Sequence, residues 1–464
     1  MTEPMDVVII GAGLSGLVAG LTLQRLGRRV LLLERRERAG GLCGTFEMDG
    51  YEFTLACNDF GQGMKKLLDE LAVPVCFERK SSIVHYGERR ITLPLGLKTA
   101  PALLPDLRDW LRLGAGLLRR RTSAPGSLGA LVDELLPASR VADLAKLPAY
   151  LMGVSPDDLS TEFFAHEKTF GYGYTTPMCP VGGPRVMAEA LESTLRARGG
   201  ELRLGVQVYA TERHGGGFRV RTSEGDVLAR AVVSTAAREA AYTPASKRGL
   251  PVSVLCLAVD QKLIYPPHVH TLVHFPPGVS SWFGALDRGA QPEEYGFHVF
   301  CSDLPRTSDH YTLNAFFYLP RGVESLSASA ANSVTRHLLA RIERMLPGVR
   351  ERLIYARLLA PAEFERRHGL SSRVMPFVIP PGAPRPGNFA PDTGIFHAGH
   401  TVYPPGEHAG AAALSGKRVA ELVAASLPGQ PLTSAAGVNH EETAVRAANV
   451  PRARPAGAGR AASP

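Results

Sequence analysis

Three glycines and one acid, Gly11, Gly13, Gly16 and Glu34, have the types and spacing to hold a dinucleotide. The first glycine allows a tight turn, the second lets backbone approach a pyrophosphate, and the third lets helix and strand pack closely. The pyrophosphate would rest on free N–H groups at a helix N-terminus. Glu34 stands where an acid would accept from a ribose 2′-hydroxyl. Arg35, Arg38, Gly40, Gly41 and Thr45 follow. Arginine offers forked donors to phosphate, and paired glycines let the backbone come close. No nucleophile triad and no metal-ligand spacing is present. His268, His270, His274 and His298 fall in one region, and the first two would share a strand face, but a metal would need converging ligands.

A βαβ frame has to position these residues. The apolar run Val7–Ile10 reads as a buried parallel strand, Leu17, Leu21 and Leu26 recur at helical spacing, and Val30–Leu33 ends on Glu34. A second block opens at Cys179 with Pro180, Gly182 and Gly183 before a helix that Gly199 and Gly200 terminate. Strands around 202–208, 218–222 and 227–234 follow as a meander. The third block, 394–425, has a short strand at Ile395–Ala398 and a bend at Pro404, Pro405 and Gly406. Glu407 and His408 then lead a helix rich in Ala and Gly.

The run from Glu34 to Thr45 resembles the E-x-x-x-R-x-G-G-x-x-x-T extension of the two-dinucleotide-binding-domain flavoproteins. That group includes amine oxidases, phytoene desaturases, carotenoid isomerases and retinol saturases. The form GGLCGTFEMDGYEF looks more like the isomerases and saturases, and Leu42 replaces an arginine frequent in amine oxidases. Thr54 and Ala56 depart from the Asp and Gly of the desaturases. The resemblance implies that Gly11 to Thr45 lie along FAD, that backbone near Val208 meets adenine, and that Gly399 and His400 border the ribityl chain. It also implies that the helix start, Gly410 and Ala411, points at the flavin pyrimidine edge, where its dipole stabilises negative charge. His400, Tyr403, Glu407 and His408 are the acid–base candidates, being beside that flavin. His368, in ERRHGLSS, resembles an Arg-His pair of isomerase-like relatives and would line the substrate pocket.

The fold expected is α/β: a Rossmann-like two-dinucleotide-binding-domain FAD fold, interleaved with an α+β substrate domain on a mixed sheet. Residues 1–75, 180–245 and 385–426 would form a discontinuous FAD-binding domain, and 76–179 with 246–384 the substrate domain. Residues 427–464, rich in Ala, Pro, Gly and Ser, read as a disordered tail. Strand-like runs from Val252 to Leu319 suggest a sheet with one wet and one buried face. From Leu104, an amphipathic helix runs into Arg119–Arg121, so 104–121 is a candidate for peripheral membrane contact.

The 464 residues, 45% of them hydrophobic, suffice for a large core. Six scattered cysteines suggest reduced thiols in the cytoplasm, and the N-terminus shows no signal peptide. The net charge of +8 lacks the interleaved aromatics of a nucleic-acid surface. The resemblance therefore implies an FAD-dependent oxidoreductase acting on a small lipophilic substrate, a polyene or isoprenoid of secondary metabolism. Its reaction would be desaturation, saturation, or flavin-assisted isomerisation or cyclisation. An amine oxidase making an imine and hydrogen peroxide is the alternative, with Leu42 and the lack of an aromatic pair near residue 403 against it. A flavin-binding protein without turnover is the third reading.

Overall fold

The computed structural model describes residues 3–57, 59–96, 99–119, 126–173, 177–236, 246–301, 304, 309–406 and 409–427. Glu407, His408, Arg120, Arg121 and residues 428–464 of the expected tail lie outside the described residues. Met1–Leu427 forms one compact unit. Among the described residues, no helix is long and apolar enough to cross a membrane.

Two sheets organise the α/β fold. The eight-stranded sheet has the parallel strands Met5–Ile10, Val30–Leu33 and Glu201–Arg203 at its centre and one side. The long strand Gly225–Ser234 pairs parallel with Met5–Ile10 along its C-terminal half and antiparallel with Gly217–Thr222 along its N-terminal half. Its end also pairs with Ile395–His397. Val7, Val8 and Ile9 are fully buried, because helices cover one face of this sheet and the meander hairpins the other.

The helices Leu14–Arg25 and Ala409–Ser426 pack closely against each other. Gly416 makes the approach possible: a Cβ there would lie 2.2 Å from the Ser15 carbonyl oxygen. The contact fixes the start of the C-terminal helix against the first glycine turn.

The seven-stranded sheet is mixed, in the order Leu353–Leu359, Val252–Asp260, His310–Tyr318, Phe297–Cys301, Val269–His274, Ser81–Tyr86, Arg89–Leu93. Only Val269–His274 with Ser81–Tyr86 is parallel among its pairs. The expectation of one wet face does not hold. Eight of nine positions of Val252–Asp260 are buried. The helix Ala328–Met345 covers one face through Val334, Leu338 and Ile342. The other face takes the Thr45–Thr54 hairpin and a cavity. Polar residues in the alternation are there to bond the hairpin: Thr312 Oγ1 donates to Glu52 O at 2.7 Å and Asn314 Nδ2 to Thr54 O at 2.8 Å. Both are buried, and these two donors are paired rather than solvated.

The segment from Leu104 forms a 3₁₀ turn and then the helix Leu107–Arg119, none of whose residues is buried. Trp110 and Leu113 pack on a satellite core, while Leu104, Leu107, Leu111 and Leu118 stay exposed.

Candidate active site

A single cavity of about 700 Å³ runs from the first sheet to the second. At one end Gly11, Gly13, Leu14, Ser15, Glu34, Arg35 and Val208 form its wall. The helix Leu14–Arg25 opens here on Gly13 with no side-chain cap, so its first-turn amides are available to a ligand. The turn has no room for side chains: a Cβ on Gly16 would sit 2.0 Å from Gly11 O. Glu34 is buried, and its carboxylate accepts from the amides of Ala12 at 2.8 Å and Arg36 at 3.0 Å. It therefore braces the turn as well as facing the cavity. Gly40 and Gly41 lie against the same turn, Gly40 N–H donating to Ala12 O at 2.8 Å, and both line the wall. A backbone-walled trough at a helix N-terminus, ending on a buried carboxylate, fits a dinucleotide.

Two residues of the extended motif lie elsewhere. Arg38 points away from the cavity and pairs with Glu47 at 2.9 Å. Thr45 donates to Glu52 at 2.6 Å, and Glu52 is also held by Arg185 at 2.9 Å. Arg38 ties the glycine segment to the hairpin, and Thr45 ties the hairpin's two strands to each other. By contrast Arg35 reaches the wall, running beside Gly369, whose missing Cβ would stand 2.9 Å from Arg35 Nη2.

In the middle of the cavity stand Gly399, His400, Thr401, Cys43, Cys57, Ala409 and Ala412. Ser415 Oγ accepts the Gly399 amide at 3.1 Å and donates to Tyr403 O at 3.0 Å, so the C-terminal helix holds the preceding loop. Arg385 adds a bond to His400 O at 3.0 Å. At the helix start the wall is Ala409 and Ala412, not Gly410 and Ala411. Positions three apart share one helix face, which turns Gly410 towards Tyr172 and buries Ala411. Tyr403 is also displaced from the expected site. Its ring lies under Arg418, 4.8 Å from Cζ to centroid, and edge-on to His166, beside a second hollow of about 400 Å³.

The far end is apolar. Val84, Leu151, Val254, Val273, Phe300 and Phe316 line it, with Asp59, Ser82, Thr271, His298, Ser371, Ser372 and Arg373 among its polar members. Arg373 is already neutralised by Glu324 and by Glu365 at 3.1 Å. His368 stops one layer short of the wall, between Phe46 and Phe364 at ring distances of 4.4 and 4.7 Å. Burial, with Arg36 and Arg367 nearby, pushes its imidazole down to about 4. Contact with Cys43, and then burial, raises the Cys57 thiol well above its ordinary range. Among the described residues, no group of three His, Cys, Asp or Glu could hold a metal ion.

All of this arrangement except the first glycine turn falls within one family model. The description of that family is "Flavin containing amine oxidoreductase", and the match spans residues 14–424. The chain belongs to this family. Membership implies a flavin cofactor. Solved structures agree on the fold: an oxidoreductase from Methanosarcina mazei superposes with a TM-score of 0.65 at 18% identity, covering 90% of this chain and 100% of that one. Cyclohexylamine oxidase from Brevibacterium oxydans gives 0.61 at 14% identity, covering 91% and 99%. Among curated relatives, human all-trans-retinol 13,14-reductase is 45% identical over 60 residues, 13% of this chain and 10% of that protein. The chain spans only 16% and 10% of the length of the first curated relatives it matches.

Sequence reasoning missed Ser15, Cys57, Asp59, Ala409, Ala412 and His298 in the wall of this flavin-family cavity. A signal existed for His298: it alternates with Phe300 in GFHVFC, and period two places both on one face. Asp59 gave none, since its placement depends on a loop between the two sheets.

Proposed function

We propose that the chain is an FAD-dependent oxidoreductase that acts on a carbon–carbon bond of an apolar, unsaturated substrate. The observation that carries this is the continuity of the cavity: a dinucleotide trough opens directly onto a wall of Val84, Leu151, Val254, Val273, Phe300 and Phe316. Such a wall binds by apolar burial, worth roughly 25 cal/mol per Å². The retinol reductase relatives share that reading by their name.

FAD bound in the trough supplies the hydride acceptor or donor. Gly11, Gly13 and Ser15 would hold its pyrophosphate region, Glu34 the ribose end, and Gly399, Ala409 and Ala412 its inner end. The chain's residues then orient the substrate and exclude water. The apolar floor leaves few groups to hydrate a reacting carbon. Among the described residues His400, by position, is a side-chain candidate for moving a proton beside the flavin, and Glu407 and His408 lie outside them.

Asp59 favours a second reading. A carboxylate on the wall would attract an ammonium group, and amine oxidation is what the name of the cyclohexylamine oxidase neighbour describes. Anaerobic mixing separates the two. Bleaching of the visible flavin band by a polyene, or reoxidation of the dithionite-reduced band by it, supports the first reading. Bleaching by cyclohexylamine alone sinks it.

A lipophilic substrate has to arrive from a lipid phase. The exposed Leu104, Leu107, Leu111 and Leu118, flanked by the exposed Arg108, Arg112 and Arg119, suit an anionic membrane surface.

A further inference from the structure

Of the six cysteines, all of them free thiols, Cys43 and Cys57 line the cavity. They reach it from two segments. Cys43 ends the 3₁₀ turn Gly41–Cys43, and Cys57 follows the second strand of the hairpin, Tyr51–Thr54. Backbone bonds hold the two segments together. Leu42 O accepts from Cys57 N–H at 3.0 Å and from Ala56 N–H at 3.2 Å, and Gly44 O accepts from Leu55 N–H at 3.0 Å. Cys43 stands between these links. Backbones so bonded run about 5 Å apart, and a disulfide spans about 4.4–6.8 Å between Cα atoms. The thiols themselves are in hydrogen-bond contact.

The pair stands at the inner end of the dinucleotide trough. The Cys57 sulfur is within hydrogen-bond reach of the Ala409 amide, the first of the helix Ala409–Ser426. Ala409 and Ala412 are the wall at that helix start. Cys43 is buried, while Cys57 is partly exposed. A free cysteine also serves as a small apolar filler, but filling does not require two sulfurs in mutual contact at a cavity wall. Contact with Cys43, and then burial, holds the Cys57 thiol well above its ordinary range. It is therefore a poor nucleophile towards reagents in bulk water. What the pair offers is proximity to an oxidant held in the trough.

Resting on a flavin in the trough, and not on the identity of the substrate, we infer that Cys43 and Cys57 are a reversible dithiol–disulfide pair that exchanges two electrons with that flavin. The balance closes within the site. Both S–H bonds break and one S–S bond forms, and the two electrons and two protons pass to oxidised FAD, giving FADH2. In the reverse direction the disulfide takes them back and opens to two thiols. The pair thereby holds a second set of reducing equivalents beside the cofactor.

The test uses the full chain loaded with FAD. Protein oxidised with diamide, then freed of the reagent by gel filtration, is titrated anaerobically with dithionite. Wild type is expected to take up about four electrons per flavin, and Cys43→Ser or Cys57→Ser about two. If Cys57→Ser fails to retain flavin, Cys43→Ser carries the comparison. Samples are alkylated with N-ethylmaleimide in denaturant and digested with trypsin, which leaves both cysteines on the peptide 39–65. That peptide should be unalkylated and lighter by the two lost hydrogens before the titration, and doubly alkylated after it. In the chain not yet loaded with FAD, dithionite should leave the peptide closed, because the electrons enter through the flavin. Uptake of about two electrons by wild type, or a peptide that diamide does not close, overturns the pair and leaves the flavin site standing. A peptide that opens equally without flavin overturns the exchange. A chain that takes up no FAD overturns the trough and the pair with it.

Discussion

Glu34 shows how much one side chain does in this fold. It closes the glycine turn through two backbone amides and also faces the ligand. Glu34→Gln removes the charge that those amides favour, a loss of about 1–3 kcal/mol. Flavin affinity is expected to weaken about tenfold or more, measured by fluorescence quenching on reconstitution; unchanged affinity would remove Glu34 from the site. The buried histidines give a second prediction. His298 and His368 sit at about 4 in the folded chain and near 6.5 when unfolded. The unfolded state therefore takes up protons first as the pH falls. Stability should decline between about pH 6.5 and about pH 4, by up to about 3 kcal/mol for each. His368→Phe, whose ring fits between Phe46 and Phe364, should show a shallower decline by urea denaturation between pH 7 and pH 5. Equal slopes in the two proteins would contradict the assignment.

At the scale of elements, the helix pair Leu14–Arg25 and Ala409–Ser426 sets the inner end of the cavity. Gly416→Val would press on the Ser15 carbonyl, which a Cβ would approach to 2.2 Å. The expected cost is about 1–3 kcal/mol in chemical denaturation, together with weaker flavin retention. The helix Leu107–Arg119 gives a separable test. Wild type should co-sediment with phosphatidylserine–phosphatidylcholine vesicles, and the combined substitution L107E, L111E and L118E should not, with thermal stability unchanged because those leucines are exposed. Wild type left in the supernatant would end the membrane proposal.

The three glycine-bearing blocks were legible in the sequence because turn, strand and helix there are local and each glycine answers a steric need. The wall at the C-terminal helix was legible only to within one residue, since helical phase decides between Ala409 and Gly410. The floor of the cavity was not legible. Its strands are covered on both faces, so alternation gives no inside and outside, and the polar positions Thr312 and Asn314 acquire meaning only when the Thr45–Thr54 hairpin docks on them. Tyr403 was misplaced for a related reason: its ring turns to Arg418 and His166, contacts remote in sequence.

For the whole molecule, two sheets share one cavity, and the hairpin Thr45–Thr54 bonds the first to the second. Met1–Leu427 forms one compact unit, and a single unfolding transition is the outcome expected if both sheets build the flavin site together. Free flavin at a hundredfold excess over its Kd should stabilise that transition by about 2.7 kcal/mol. Two separated transitions, only one of them shifted, would contradict a jointly built site. The most direct measurement is the flavin content of the purified chain, read from its visible spectrum after reconstitution with FAD and gel filtration. The expected result is one flavin per chain, lost or sharply reduced in Gly16→Ala, where a Cβ would meet Gly11 O. A protein that elutes without flavin after reconstitution, or that keeps it undiminished in Gly16→Ala, would contradict the account.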